Sequence, residues 1–193
     1  MADVHLSRLG PLVGAALLLP PVLSGCSASL PTSGPVQFEG ADLDQWSYVR
    51  ADKGDTVVFG ALLVRNDGKK TASLAEARLT GPGEKVYDEG ATISVVKVRD
   101  VSGGQELVGA AQWPFEHYAD DAVDLDGFEL KPGGSAELLF IVKVDEEGHW
   151  FWPTSELTYS VDGDKWEAKA STGFLICPSD RDRECDEPTG KAG

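Results

Sequence analysis

The run Thr56-Val-Val-Phe-Gly-Ala-Leu-Leu-Val64 decides the fold. It is apolar on both parities, as a central strand covered on both faces must be. Asn66-Asp67-Gly68 follows and predicts a turn of residues that tolerate positive φ. Ser73 to Thr80 comes next and admits two readings. Ser73-x-x-Glu76 has the form of a helix capping box, whereas Ala75, Ala77 and Leu79 alternate with Glu76 and Arg78. The strand is preferred, because its neighbours are strands.

Downstream, Ala91 to Arg99 forms a strand with a parity switch. Ile93 and Val95 share one face, Val96 and Val98 the other, and a bulge near Val95-Val96 would turn both pairs inward. Glu106 to Trp113 reads as a short strand stopped by Pro114. Leu130-Lys-Pro-Gly-Gly134 leads into Ala136 to Val144, where Leu138, Phe140, Val142 and Val144 share a parity and should face the core. Leu157, Tyr159 and Val161 alternate with polar residues. Asp162-Gly163 is a strong hairpin signal into Lys165 to Ala170, and residues 173–176 extend or follow that strand. Upstream, Trp46 to Val49 opens the set.

About eight short strands with regular turn signals and no helix of ordinary length imply an all-β, antiparallel sandwich. The strand-to-Asn-Asp-Gly turn over 56–68 and the Leu-x-Pro-Gly-Gly stretch over 130–140 resemble immunoglobulin-like modules of bacterial surface proteins. That resemblance implies a fold and no activity.

The N-terminus has a different character. An apolar run, Leu9 to Leu19, precedes Leu23-Ser24-Gly25-Cys26. The run is too short to span a membrane, and Pro20-Pro21 would break a helix. The n-region is thin, with Arg8 set against Asp3. This pattern resembles the lipobox signal of bacterial lipoproteins. The resemblance implies a lipid such as palmitate carried on Cys26, cleavage after Gly25, and a domain tethered on the extracytoplasmic face of the cell membrane. The alternative is an uncleaved anchor. The expected organisation is a signal peptide over 1–25, a lipidated Ser/Pro/Gly tether over 26–37, a sandwich over 38–176, and a polar tail over 177–193.

Composition limits function. The net charge of −15 argues against nucleic acid, which needs clustered Lys and Arg. With Cys26 lipidated, Cys177 and Cys185 are left, and outside the cytoplasm they are expected to pair, the alternative being two free thiols. No G-x-S-x-G elbow surrounds a serine and only His117 and His149 follow the signal, so no enzyme and no cofactor is expected.

Two stretches are candidates for recognition. Asp120, Asp121, Asp124 and Asp126 form an acidic loop that could attract calcium, although the alternating ligand register and a downstream glutamate are missing. His149-Trp150-Phe151-Trp152-Pro153 places Trp150 and Trp152 on one side of a strand. These tryptophans and His149 either form an exposed binding face or plug the sandwich end. The expected function is a membrane-anchored, non-catalytic module for a protein, peptide or envelope component. The alternatives are an assembly component of an envelope complex and a carrier of small ligands or cations.

Overall fold

A computed structural model describes residues 32–40, 45–81, 90–115 and 119–179. Every regular element among them is a strand. In chain order these are β1 (Val36–Phe38), β2 (Gln45–Arg50), β3 (Thr56–Asn66), β4 (Ala72–Thr80), β5 (Ala91–Asp100), β6 (Ala110–Gln112) and β7 (Val123–Asp124). They continue as β8 (Glu129–Leu130), β9 (Ser135–Val144), β10 (Trp150–Trp152), β11 (Thr154–Val161), β12 (Asp164–Ala170) and β13 (Thr172–Cys177). Seven of the strands read in the sequence recur as β2, β3, β4, β5, β9, β11 and β12, whereas Glu106 to Trp113 shrinks to the three residues of β6 and residues 173–176 lie in a separate strand, β13. Val36 and Gln37, read as the end of the tether, belong to β1, and Cys177, read as the start of the tail, closes β13.

The fold is an all-β sandwich. One layer is a six-stranded sheet ordered β1-β3-β9-β5-β7, with β6 paired to β3 beside β1. The other layer has two parts, a four-stranded sheet β12-β11-β4-β8 and a three-stranded sheet β10-β13-β2. They are joined because β10 runs into β11 through Pro153 and β12 into β13 through Ser171. All pairs are antiparallel except β13 with β2, which is parallel. That pair departs from the wholly antiparallel expectation, since β2 comes from the distant N-terminal part of the chain and not from a hairpin.

The core lies between the layers. Phe59 of β3 stacks on Phe174 of β13 at 4.7 Å, and Phe174 lies 6.0 Å from Trp152 of β10. Leu138, Phe140, Val142 and Val144 face this core as their parity predicts. The opposite parity of β9 is covered too. Leu139 and Ile141 join Val58 in a second apolar cluster, closed from outside by Val108, Ala111 and Trp113.

Three bulges set which side chains point inward. In β3, Phe59 opposes Phe140 and Leu62 opposes Leu138, so Gly60 and Ala61 together face Leu139. Ala61 takes the left-handed region at φ 58°, costly for a residue with a Cβ. In β4 the extra residue is Ala75, between Leu74 and Glu76. The strand reading of this segment holds, but Ala75 is exposed and Leu74 is buried in its place. In β5 the bulge falls on Ser94, one residue before the expected position, and its Oγ donates to Ile141 O at 3.0 Å. Ile93, Val96 and Val98 therefore turn to the core while Val95 stays 37% exposed, so the two valine-bearing pairs do not both point inward.

The turn after β3 works through side-chain bonding and not through positive φ. Asn66, fully buried, donates from Nδ2 to Lys70 O and Leu130 O at 2.9 and 2.8 Å and accepts from Gly68 N at 3.0 Å. Its backbone bonds Gly133 and Gly134, and Asp67 N donates to Pro35 O. The two turn motifs legible in the sequence thus lock to each other where the chain joins the fold. The Asp162-Gly163 hairpin has positive φ at both residues, as its sequence predicts.

Candidate functional site

Each of the three sheets has an outward face, and the three faces differ. On the four-stranded sheet it is ionic. Glu156 of β11 is bridged by Arg78 of β4 at 2.7 Å and Lys169 of β12 at 2.8 Å, and Glu167 lies within 3.6 Å of both cations. On the six-stranded sheet it is roofed by the segment between β5 and β7. Glu137 of β9 holds this roof down: its Oε1 accepts from Ala61 N and Val108 N at 2.7 and 2.8 Å, and its Oε2 accepts from Arg99.

The outward face of β10-β13-β2 is apolar and partly open. Trp46 and Tyr48 alternate along β2, with ring centroids 6.0 Å apart. Across the sheet, Tyr48 pairs with Leu175 and Leu175 with Phe151, so two aromatic rings flank one leucine. Trp46 and Phe151 are half-buried against Leu175 and Cys177, whereas Tyr48 is 47% exposed. The alternation follows from strand geometry: Val49, Phe174 and Ile176 serve the core from the same strands.

This decides between the two readings of His149, Trp150 and Trp152 in favour of the plug for the tryptophans. Trp152 is 3% exposed and stacked in the core. Trp150 is half-buried on the same side, its indole filling the space beside Gly90 and Gly148, where any Cβ would crowd it. Both tryptophans plug the sandwich, so the side of the strand that reaches the surface is the one carrying Phe151. His149 is exposed.

The acidic loop is dispersed. Asp120, Asp121 and Asp126 are exposed, while Asp124 sits in β7 and accepts from Lys97 Nζ at 3.1 Å. Leu125, buried, pins the chain beside it. An extended strand does not bend carboxylates around one ion. Among the described residues no group of three or more His, Cys, Asp or Glu could hold a metal ion. The four aspartates are therefore not gathered around one point in this structure.

Cys177 is fully buried on the outward side of β13, next to Leu175. Cys26, Cys185 and His117 lie outside the described residues. At the end of the sandwich where β1 begins, a cleft of about 300 Å³ is lined by Asp100, Ser102, Phe128, Glu129 and Lys131 among others. The Asp100 carboxyl is held below the usual range, chiefly by the Ser102 hydroxyl and then by the Ser102 amide.

No protein-family model matches the chain, and no curated protein matches it. Solved structures give distant likenesses. The ASH/PapD-like domain 7 of human CEP192 is 9% identical with a TM-score of 0.38, over 87% of this chain and 97% of that one. The N-terminal domain of PorA is 10% identical with a TM-score of 0.28, over 73% and 96%. The VesB protease of Vibrio cholerae is 9% identical with a TM-score of 0.37, over 74% of this chain and 32% of that one. The present chain thus spans about a third of the VesB chain, and none of these likenesses carries a functional argument.

Proposed function

We propose that this chain is a lipid-anchored, extracytoplasmic binding module with no catalytic step of its own, and that it docks a protein partner on the outward face of β10-β13-β2. The observation that carries the reading is the contrast among the three sheet faces. One is neutralised by ion pairs and one is roofed, while the third carries Trp46, Tyr48 and Phe151 with Tyr48 open to solvent. Aromatic side chains supply large contact area at low entropic cost, and they dominate interface energetics.

The anchor rests on the lipobox resemblance at Leu23-Ser24-Gly25-Cys26. Two features support a tether that meets the fold firmly. The Tyr159 hydroxyl accepts from Val36 N at 3.2 Å and donates to Val36 O at 3.3 Å, and β1 pairs with β3. A pull on the tether is thereby passed to the central strand. From Cys26 to Pro35 an extended chain reaches at most about 30 Å, so the module works close to its membrane. Outside the cytoplasm, Cys177 and Cys185 pair and close a nine-residue loop, a constraint of about 2.6 kcal/mol in the chain-entropy treatment.

The test is fractionation with partner recovery. Wild-type chain in the membrane fraction, with Cys26→Ala released into the soluble fraction, supports the anchor; Cys26→Ala retained on membranes after a high-salt wash overturns it. Recovery of a stoichiometric partner with wild type, and its loss with Tyr48→Ala, supports the docking face. Equal recovery with both overturns it.

A further inference from the structure

We infer that the partner segment seated on the aromatic face is basic, bearing lysine or arginine side chains. The inference rests on the binding-module reading and adds the chemistry of the occupant.

The face is bordered by carboxylates at one end. β2 runs out into Asp52 and Asp55, and Asp145, Glu146 and Glu147 precede β10. These two turns are neighbours, since Gly54 N donates to Val144 O and Val144 N to Asp55 O. The five acids stand where β2, β13 and β10 present Arg50, Cys177 and Trp150. Against them the same end offers Arg50, Lys53 and Lys143, and Lys143 is held by Asp145 at 2.7 Å. At the opposite end, where β1 begins, Arg65 pairs with Asp67 and Lys70 with Asp162, while Asp100 and Glu129 line the cleft away from this face. Five acids against three bases leave a modest acidic excess beside the aromatic face, with Glu146 and Glu147 exposed.

Aromatic rings and carboxylates together select one chemistry. A cationic head over a ring face gains from the quadrupole, its aliphatic stem covers Leu175 and Phe151, and nearby carboxylates draw it in from solution. An anionic polymer would be repelled by the same rim. A neutral sugar could stack on the rings and donate hydroxyl hydrogen bonds to the carboxylates, but it brings no cation for the acids to draw in.

The test uses the full chain in neutral detergent. It is titrated by fluorescence anisotropy with a labelled peptide of alternating lysine and alanine, with the same peptide carrying glutamine for lysine, and with a neutral chito-oligosaccharide as competitor. Three results are expected: only the lysine peptide binds, its affinity falls with added salt, and Tyr48→Ala weakens it about fivefold while Tyr48→Phe does not. The double change Glu146→Gln/Glu147→Gln flattens the salt dependence. The melting temperatures of these variants, compared with wild type, separate loss of binding from loss of fold. Equal binding of the glutamine peptide, displacement by the saccharide, or lysine-peptide affinity unchanged by Tyr48→Ala overturns the basic occupant. If the lysine peptide fails to bind while Tyr48→Ala still strips the partner recovered from membranes, the partner's chemistry is wrong and the binding module stands. If neither effect occurs, both readings fall.

Discussion

The guanidinium of Arg99 and the carboxylate of Glu137 form an ion pair at 2.5 Å, with side chains only 4% and 0% exposed. Arg99 also donates to Glu106 O at 2.7 Å, and Glu137 takes the amides of Ala61 and Val108. One carboxylate therefore holds three things: the left-handed bulge of β3, the roof over the outer face, and a buried cation. Glu137→Ala leaves a charge and two amides without their acceptor, and should cost about 3–5 kcal/mol in chemical denaturation. Arg99→Met/Glu137→Leu removes both charges and should recover part of that loss. The two amides still lack an acceptor, so amide exchange at Ala61 and Val108 should stay fast in the double variant. Full protection there would show that the carboxylate is not what holds the roof.

The aromatic residues predict a sharp contrast in stability. Trp152→Ala empties a stacked core position and should cost about 3–5 kcal/mol. Tyr48→Ala, at a site 47% exposed, should lie within about 0.5 kcal/mol of wild type. Urea unfolding of both variants checks this. A Tyr48→Ala loss as large as that of Trp152→Ala would make the face part of the core and not a surface.

Asn66 predicts a loss that an isosteric change cannot avoid. Its Nδ2 serves two carbonyls inside the fold. Asn66→Asp turns that donor into an acceptor facing Lys70 O and Leu130 O and adds a buried charge. The expected cost is about 2–4 kcal/mol, no smaller than that of Asn66→Ala. Thermal melts of the two variants decide it; a near-neutral Asn66→Asp would mean that the site is wet and the bonds are not limiting.

The strands were legible where a side-chain period ran unbroken. β9 and the β11–β12 hairpin follow directly from Leu138, Phe140, Val142 and Val144 and from Asp162-Gly163. The bulges at Gly60-Ala61, Ala75 and Ser94 were not, because each is set by its partner strand and by distant groups such as Glu137. Glu137 lies on the parity opposite Leu138, Phe140, Val142 and Val144, where a charged residue ordinarily meets solvent, so neither its burial nor its pairing with Arg99 was legible. The choice between an exposed face and a plug at Trp150 and Trp152 stayed open for a related reason. Alternation tells which residues share a face of the 149–153 segment, and it does not tell which face is inside. Trp46 and Tyr48 carried the same alternation in β2, and only the pairing of β2 with β13 brings them beside Phe151.

The ionic face predicts a specific acid sensitivity. Burial between strands pushes the Glu156 pKa up, but hydrogen bonds from Lys169 and Arg78 outweigh this and hold it below the ordinary 4.5. A carboxylate whose folded pKa is depressed binds fewer protons in the folded chain than in the unfolded one. Its contribution is therefore complete above pH 4.5 and is lost as the pH falls below that value toward the folded pKa. Arg78 is more than half exposed, so screening limits the pair to about 0.5–1 kcal/mol. Arg78→Ala should lower stability by that amount at pH 7 and by progressively less below pH 4.5, so that its curve converges on that of wild type near pH 2. Urea midpoints measured between pH 2 and 7 test this, and curves that remain parallel throughout would place the stabilisation in packing of the Arg78 stem, with no part played by its charge.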